Sequence, residues 1–188
     1  MPGQWEYQVG PCEGIEIGDH MWVSRFLLHR CAEEFKLSVS FEPKLFPDWN
    51  GSGCHTNFST ETMRLGTGGM KYIEDMMEKF RAKHLVHMEL YGEDNHKRLT
   101  GHHETSSWQQ FSYGVGNRGS SFRIPTQTKA DNGAGYVEDR RPASNIDPYA
   151  VSAIILDTGC LEVSLAEPLI SQNKKYQEFS KENPIEKM

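Results

Sequence analysis

Apolar and polar positions along this chain follow two periods, and these predict its elements. Trp5, Tyr7 and Val9 alternate with Glu6 and Gln8, which predicts a short strand with its aromatic residues facing a core. Gly10-Pro11 ends that strand, and residues 12–18 read as a loop or a second short strand. Asp19 stands where it can cap a helix running to about Phe35, with Met21, Trp22, Phe26, Leu27, Cys31 and Phe35 as its apolar, core-facing stripe. Residues 37–44 read as a strand ended by Pro43 and Pro47. The turn Asn50-Gly51-Ser52-Gly53 leads into another alternating stretch, with His55, Asn57 and Ser59 on one face and Thr56, Phe58 and Thr60 on the other. Helical spacing returns at 70–83, where Ile73, Met76, Met77 and Phe80 point inward and Lys79, Arg81, Lys83 and His84 sit at the negative pole of the helix dipole.

The second half begins with a strand expected over 85–90. Residues 94–107 are polar, short of core residues and without period, as in a mobile loop that closes over a site. A strand is expected over 117–125 and a hairpin-like connection over 129–135. Residues 135–141 alternate again, placing Tyr136, Glu138 and Arg140 on one face and Val137, Asp139 and Arg141 on the other. Asp147 followed by Pro148 predicts a capped helix carrying Val151, Ile154, Ile155 and Leu156. Beyond Leu161 the chain is charged and weakly periodic, the pattern of a surface tail.

Composition narrows the function classes. The 188 residues are 37% hydrophobic with mean hydropathy −0.64, low for a self-sufficient core, and 17 Gly with 9 Pro imply many loops. A net charge of −6 argues against nucleic acid as the main partner. No apolar run approaches a membrane span. The start of the sequence lacks a basic region followed by an apolar one, so no leader is expected. Cys12, Cys31, Cys54 and Cys160 lie far apart without C-x-x-C spacing, which fits buried thiols in a reducing, cytoplasmic setting.

The candidate chemistry lies in two sets. Glu6, Glu13, His55 and Glu138 suit a hard or borderline divalent ion such as Mg²⁺ or Mn²⁺. Each alone is equally a solvated strand residue. Arg98, Arg118, Arg123 and Arg140 suit phosphate or carboxylate recognition, or simply pair with surface acids. Together the sets are consistent with phosphoryl transfer from a nucleotide, although no G-x-x-x-x-G-K-[ST] loop is present. His102-His103-Glu104-Thr105 is not H-E-x-x-H, so a zinc-protease reading fails; Glu104 is a flap acid or an exposed loop acid.

Five motifs carry a resemblance. They are Met1-Pro2-Gly3-Gln4-Trp5-Glu6-Tyr7-Gln8-Val9-Gly10-Pro11; Asn50-Gly51-Ser52-Gly53-Cys54-His55-Thr56-Asn57-Phe58-Ser59; Arg98-Leu99-Thr100-Gly101 with His103-Glu104-Thr105; Asn117-Arg118-Gly119 through Arg123-Ile124-Pro125; and Gly135-Tyr136-Val137-Glu138-Asp139-Arg140-Arg141-Pro142. The chain resembles the catalytic domain of glutamine synthetase of the eukaryotic type. The resemblance implies an α+β fold, a curved antiparallel sheet with flanking helices, over residues 1–160, followed by a tail at 161–188. It implies ATP-dependent ligation of ammonia to L-glutamate through a γ-glutamyl phosphate. By the same resemblance Glu6 and Glu13 hold the metal on the glutamate side, and His55 and Glu138 hold the metal on the ATP phosphates. Asn50, Gly51, His55, Arg98 and Arg140 are implied to bind glutamate. Asn57, Ser59, Arg118, Arg123 and Tyr136 are implied to bind ATP. Glu104 and Arg118 are implied to act in catalysis, Glu104 by closing the glutamate entrance and taking a proton from ammonium.

A full family member also carries an N-terminal β-grasp domain and the first catalytic strands, with further acidic ligands in a Glu-x-Glu strand; these 188 residues do not include them. The resemblance further implies a ring-built homo-oligomer with sites shared between subunits. A truncated, non-catalytic relative with a structural or regulatory role is the alternative expectation. An unrelated Mg²⁺-dependent phosphotransferase is a third.

Overall fold

The computed structural model describes residues 1–182. Four short strands form one sheet: β1 (Thr56–Phe58), β2 (Tyr113–Val115), β3 (Phe122–Ile124) and β4 (Val137–Asp139), in the order β1-β4-β3-β2. β4 is the centre, antiparallel to β1 through Asn57↔Glu138 and to β3 through Arg123↔Glu138. β2 and β3 run parallel, so the expected antiparallel sheet is in fact mixed. Their link, residues 116–121, is shorter than the dozen or so residues a parallel crossover usually takes. It turns through Gly116 at φ 63° and through Asn117, whose side-chain oxygen accepts from the Gly119 N–H at 2.9 Å. With its flanking helices the chain is α+β.

The helices are α1 (Glu16–Glu34), α2 (Glu61–Arg64), α3 (Gly69–Ala82), α4 (His84–Met88), α5 (Thr126–Ala130), α6 (Pro148–Leu156) and α7 (Ala166–Glu182). The core is α3 laid against the sheet. Ile73, Met76, Met77 and Phe80 of α3 meet Phe122, Ile124 and Val137 of the strands, Val151, Ile154 and Ile155 of α6, and Met88. The inward face of α3 is thus the one its periodicity predicts. α6 starts as expected, with Asp147 accepting from the Tyr149 N–H at 2.9 Å and Pro148 in the first turn.

Other expectations fail, for identifiable reasons. Residues 5–9 and 37–44 form no strand, and Trp5 is 93% exposed. Alternation describes a two-sided environment but supplies no pairing partner, and no described strand runs beside either segment. α1 begins at Glu16 after an Ile15 N-cap position that has no side-chain cap; Asp19 lies inside the helix and accepts from the Tyr149 hydroxyl. The face of α1 that docks is Gly18, Arg25 and Ala32, while Trp22, Phe26, Leu27, Cys31 and Phe35 are exposed. Arg25 pins the helix by donating to Ile146 O at 2.8 Å and Ser144 O at 2.9 Å, its guanidinium lying against the rings of Trp22 and Phe41.

Residues 84–88 are helical rather than extended because His84, His87, Met88 and Tyr91 recur at helical spacing; histidines do not register as apolar, although these two are buried. The 94–107 loop contributes buried Asn95, Arg98, Leu99 and Ser106 and contains a 3₁₀ turn at Asn95–Lys97. α5 takes up the start of the expected 129–135 connection. A π-helical turn, Asp157–Leu161, leads out of α6, and the expected surface tail forms α7, whose Leu169 and Ile170 pack on the core; residues 183–188 of that tail lie outside the described residues.

Beneath β4 lies a buried polar network. Asp139 accepts from Arg141 Nε at 2.9 Å and Nη2 at 2.7 Å and from the Tyr91 hydroxyl at 2.7 Å. Tyr91 in turn accepts from His87 Nδ1 at 2.6 Å, leaving His87 Nε2 to accept from the Thr158 hydroxyl at 2.8 Å. Arg141 Nη1 donates to His84 Nδ1 at 3.1 Å, so His84 donates from Nε2 to Trp108 O. The Arg141 guanidinium also lies within 6 Å of the Phe80, Tyr91, Phe111 and Phe122 rings. Both histidines are therefore neutral donors and acceptors. Burial first, and the Arg141 charge second, hold both below their ordinary value of 6.5, His87 well below it.

Two outcomes follow. A histidine with a depressed folded pKa binds fewer protons folded than unfolded, so its stabilising contribution is full above pH 6.5 and is lost as pH falls below that. The unfolding free energy from urea titration should fall between pH 7 and pH 5, by up to about 1.4 kcal/mol per pH unit per histidine, and His87→Gln should flatten the slope; an equal slope in the variant contradicts the assignment. Separately, Phe80→Ala should lower unfolding free energy by about 3–5 kcal/mol, whereas Phe26→Ser, at a site 62% exposed, should change it by no more than about 0.5 kcal/mol. A large loss at Phe26 would mean that the α1 face is covered in solution.

Candidate functional site

The antiparallel pairings around β4 stack side chains from three strands on one face of the sheet. Glu138 is the focus, its side chain 7% exposed. His55, one residue ahead of β1, brings Nδ1 to 3.3 Å from Glu138 Oε1. Arg140, just beyond β4, brings Nη1 to 3.2 Å from Oε1 and 3.3 Å from Oε2. Arg123 of β3 sits opposite Glu138 with Nε 2.5 Å from Oε2; the approach is an ion pair without hydrogen-bond alignment, and that buried N–H has no aligned acceptor. Burial pushes the Glu138 carboxyl up, but the His55 hydrogen bond and the charges of Arg140 and Arg123 outweigh it and hold it below its ordinary 4.5.

Arg140 also ties two loops together, donating from Nε to Arg118 O of the β2–β3 link at 3.0 Å and from Nη2 to Glu104 O of the 94–107 flap at 3.3 Å. The Glu104 carboxylate stands 3.8 Å from Arg118 Nη1, both side chains exposed. His103 and Glu104 each have positive φ, 55° and 58°, a left-handed conformation that costs on the order of 1–3 kcal/mol for residues other than glycine.

The turn before His55 is built by close approach. A Cβ on Gly51 would lie 2.7 Å from Pro43 O and collide with the Arg98 side chain. A Cβ on Gly53 would lie 3.0 Å from both Arg98 Nη1 and His55 Nε2. Arg98 itself is buried under the turn. Its Nη2 donates to the carbonyls of Arg140, Arg141 and Pro142, and its Nε to Asn95 Oδ1 at 3.0 Å. Burial, followed by the nearby Arg140 charge, brings its pKa down to about 10. Expected as a glutamate-binding group, Arg98 here holds the backbone that carries Arg140.

The remaining expected residues divide. Asn57 and Tyr136 are exposed on β1 and just before β4. Ser59 Oγ accepts from Arg64 Nη1 at 3.2 Å. Asn50 accepts through its carbonyl from Gln4 Nε2 at 2.8 Å, which ties the N-terminal segment to the turn. Glu6 and Glu13 are exposed, and among the described residues no three His, Cys, Asp or Glu side chains stand close enough to hold a metal ion together. The four expected metal ligands are therefore not gathered as a set. His55 and Glu138 fit one divalent ion of the Mg²⁺ or Mn²⁺ kind, which characteristically keeps several waters and takes phosphate oxygens beside one or two protein ligands. Glu6 and Glu13 do not complete a second donor set, because the extended segment that carries them lacks sheet neighbours.

Three contributors lie outside the expected set. Gly53 separates Arg98 from His55, and Asp139 with Tyr91 anchors β4 from the other face. The signal for Asp139 was available in the alternation at 135–141, which sets Asp139 and Arg141 on the face opposite Glu138 and Arg140; Gly53 and Tyr91 carried none.

Comparison with known proteins places the chain in a family. A family model described as glutamine synthetase, catalytic domain, matches residues 1–169. A glutamine synthetase of Neurospora crassa is 63% identical over 159 residues, 84% of this chain and 43% of its own length. Glutamine synthetases of Yarrowia lipolytica and Saccharomyces cerevisiae are 57% and 58% identical over 179 and 168 residues, covering 95% and 89% of this chain and 48% and 45% of theirs. The chain spans a little under half the length of these curated relatives. On the extent of the family match and the identity of these relatives, the chain belongs to the glutamine synthetase family and carries sequence of its catalytic domain.

Proposed function

We propose that this chain supplies one wall of a site that ligates ammonia to L-glutamate at the expense of ATP, passing through a γ-glutamyl phosphate. The observation that carries this reading is Glu138, a buried carboxylate contacted by one imidazole and two guanidiniums from the sheet and its borders. His55 and Glu138 would hold a Mg²⁺ or Mn²⁺ ion, which neutralises phosphate charge when bound. Arg123 and Arg118 would bind the transferring phosphate, where catalysis is mostly positioning and charge stabilisation. Asn57, Ser59 and Tyr136 would contact the nucleotide, and Asn50, Gly51 and Arg140 the glutamate. Glu104 would close the entrance and accept a proton from ammonium. Glu6 and Glu13 would act on the glutamate-side metal once neighbouring strands order their segment.

A homo-oligomer with shared sites fits the exposed apolar residues of α1 and the N-terminal segment. The cytoplasmic reading draws on four free cysteines, and no described helix is long and apolar enough to cross a membrane. The second reading, a non-catalytic structural or regulatory relative, draws on Glu6 and Glu13 standing apart from the Glu138 cluster.

Calorimetry separates the readings. The 188-residue chain should bind ATP in the presence of Mg²⁺, and His55→Ala should weaken that binding at least about tenfold, the loss of roughly 1.4 kcal/mol. Equal affinity in the variant would remove His55 from the metal site. ADP release that requires both glutamate and ammonium supports the catalytic reading; nucleotide binding without turnover supports the second.

A further inference from the structure

One guanidinium joins the floor of the site to its flap. Arg140 Nη1 bridges both oxygens of Glu138, at 3.2 and 3.3 Å, while Nε and Nη2 hold the carbonyls of Arg118 and Glu104. The tip of the flap, residues 101–106, is otherwise held by a small set of local bonds. Gly101 N–H donates to Ser106 O at 3.3 Å and Thr105 N–H to His102 O at 3.1 Å, the Thr105 hydroxyl donates to the same His102 O at 2.7 Å, and His102 N–H donates to Thr100 Oγ1 at 3.3 Å, while Trp108 N–H to Leu99 O at 3.0 Å closes its base. The Glu104–Arg118 pair is exposed and 3.8 Å long, a geometry that contributes little. His103 and Glu104 are held in the left-handed region, so the loop is under strain that the Arg140 bonds help to contain.

Glu138 is fully engaged by its three neighbours. An ionised carboxylate offers about four lone-pair sites. His55 and Arg140 meet Oε1, and Arg140 and Arg123 meet Oε2. A divalent cation taking Glu138 together with His55 replaces the His55 contact on Oε1, stands beside Arg140 Nη1 on the same carboxylate, and repels the guanidinium by its charge.

We propose that Arg140 is a latch that couples cation binding to the flap. With Glu138 paired to Arg140, the Glu104 and Arg118 peptides are tied down. Occupation of His55 and Glu138 by a divalent cation drives Arg140 off the carboxylate and loosens the flap, and by reciprocity a tied flap weakens the cation. The guanidinium so released is the one proposed above for the glutamate carboxylate, so the cation prepares the substrate subsite as well as its own. The cation half of this proposal rests on the metal reading; the restraint of the flap by Arg140 does not.

The test uses the full 188-residue chain, native digestion by a glutamyl endopeptidase, and mass spectrometry of the fragment ending at Glu104, normalised to cleavage at exposed Glu42. Binding of Mn²⁺ is measured in parallel by calorimetry. In the unsubstituted chain Mn²⁺ should speed cleavage at Glu104 by roughly tenfold, the scale of losing one or two net hydrogen bonds. Arg140→Gln should be cleaved fast without Mn²⁺ and show no further response. Arg140→Lys keeps the charge but not the fork, and should behave like Arg140→Gln, with thermal melts confirming that both variants fold. Arg123→Gln, which removes a cation from the same carboxylate without touching the flap, should keep the Mn²⁺ response. Bound Mn²⁺ with unchanged cleavage overturns the coupling and leaves the metal reading standing. Absence of Mn²⁺ binding overturns the metal reading and the coupling together. Slow cleavage in both Arg140 variants overturns the latch.

Discussion

The buried pair of Asp139 and Arg141 is the constraint on which the rest of the structure depends. Both side chains are fully buried, joined by two hydrogen bonds and completed by Tyr91. Removing two charges from water is expensive, and such a pair persists only where geometry and further hydrogen bonds are good. Here Tyr91 brings in His87 and with it α4, Thr158 brings in the turn after α6, and Phe80 and Phe122 bring in α3 and β3. β4 is therefore fixed from its inner face. Because adjacent strand residues point to opposite faces, fixing Asp139 also fixes the direction of Glu138.

The outer face inherits that order. Glu138 gathers His55 from the border of β1, Arg123 from β3 and Arg140 from the end of its own strand, and Arg98 clamps the backbone from 140 to 142 from beneath. The site is thus rigid at its floor and lightly tied at its flap, with Arg140 as the connection between the two. This division places the Glu138 cluster on the sheet and its borders and Glu104 on a loop with two left-handed residues.

The sequence makes the sheet side of this site legible and its periphery much less so. Alternation at 135–141 correctly separates Glu138 and Arg140 from Asp139 and Arg141, and helical spacing finds the inward face of α3, because both patterns end in contacts within this chain. The aromatic alternation at Trp5–Val9 and the apolar stripe of α1 have the same form but no covering partner among the described residues, and Trp5, Tyr7, Trp22, Phe26, Leu27 and Phe35 are exposed. A hydrophobic pattern states which face is to be covered, not what covers it. His84 and His87 hid a helix because a buried neutral histidine looks polar in sequence. Arg98 illustrates a different limit: its Nη2 holds three backbone carbonyls and its Nε the Asn95 side chain, a structural use that its motif does not reveal.

A double-mutant cycle on the inner pair tests this account most directly, with unfolding free energy in urea as the measurement. Asp139→Asn leaves Arg141 buried and uncompensated, and should cost about 3–5 kcal/mol. Asp139→Asn combined with Arg141→Met removes the stranded charge, and its cost should fall well short of the sum of the two single changes. A cost near 1 kcal/mol for Asp139→Asn, or single effects that simply add, would contradict the claim that this pair organises β4 and, through it, the site.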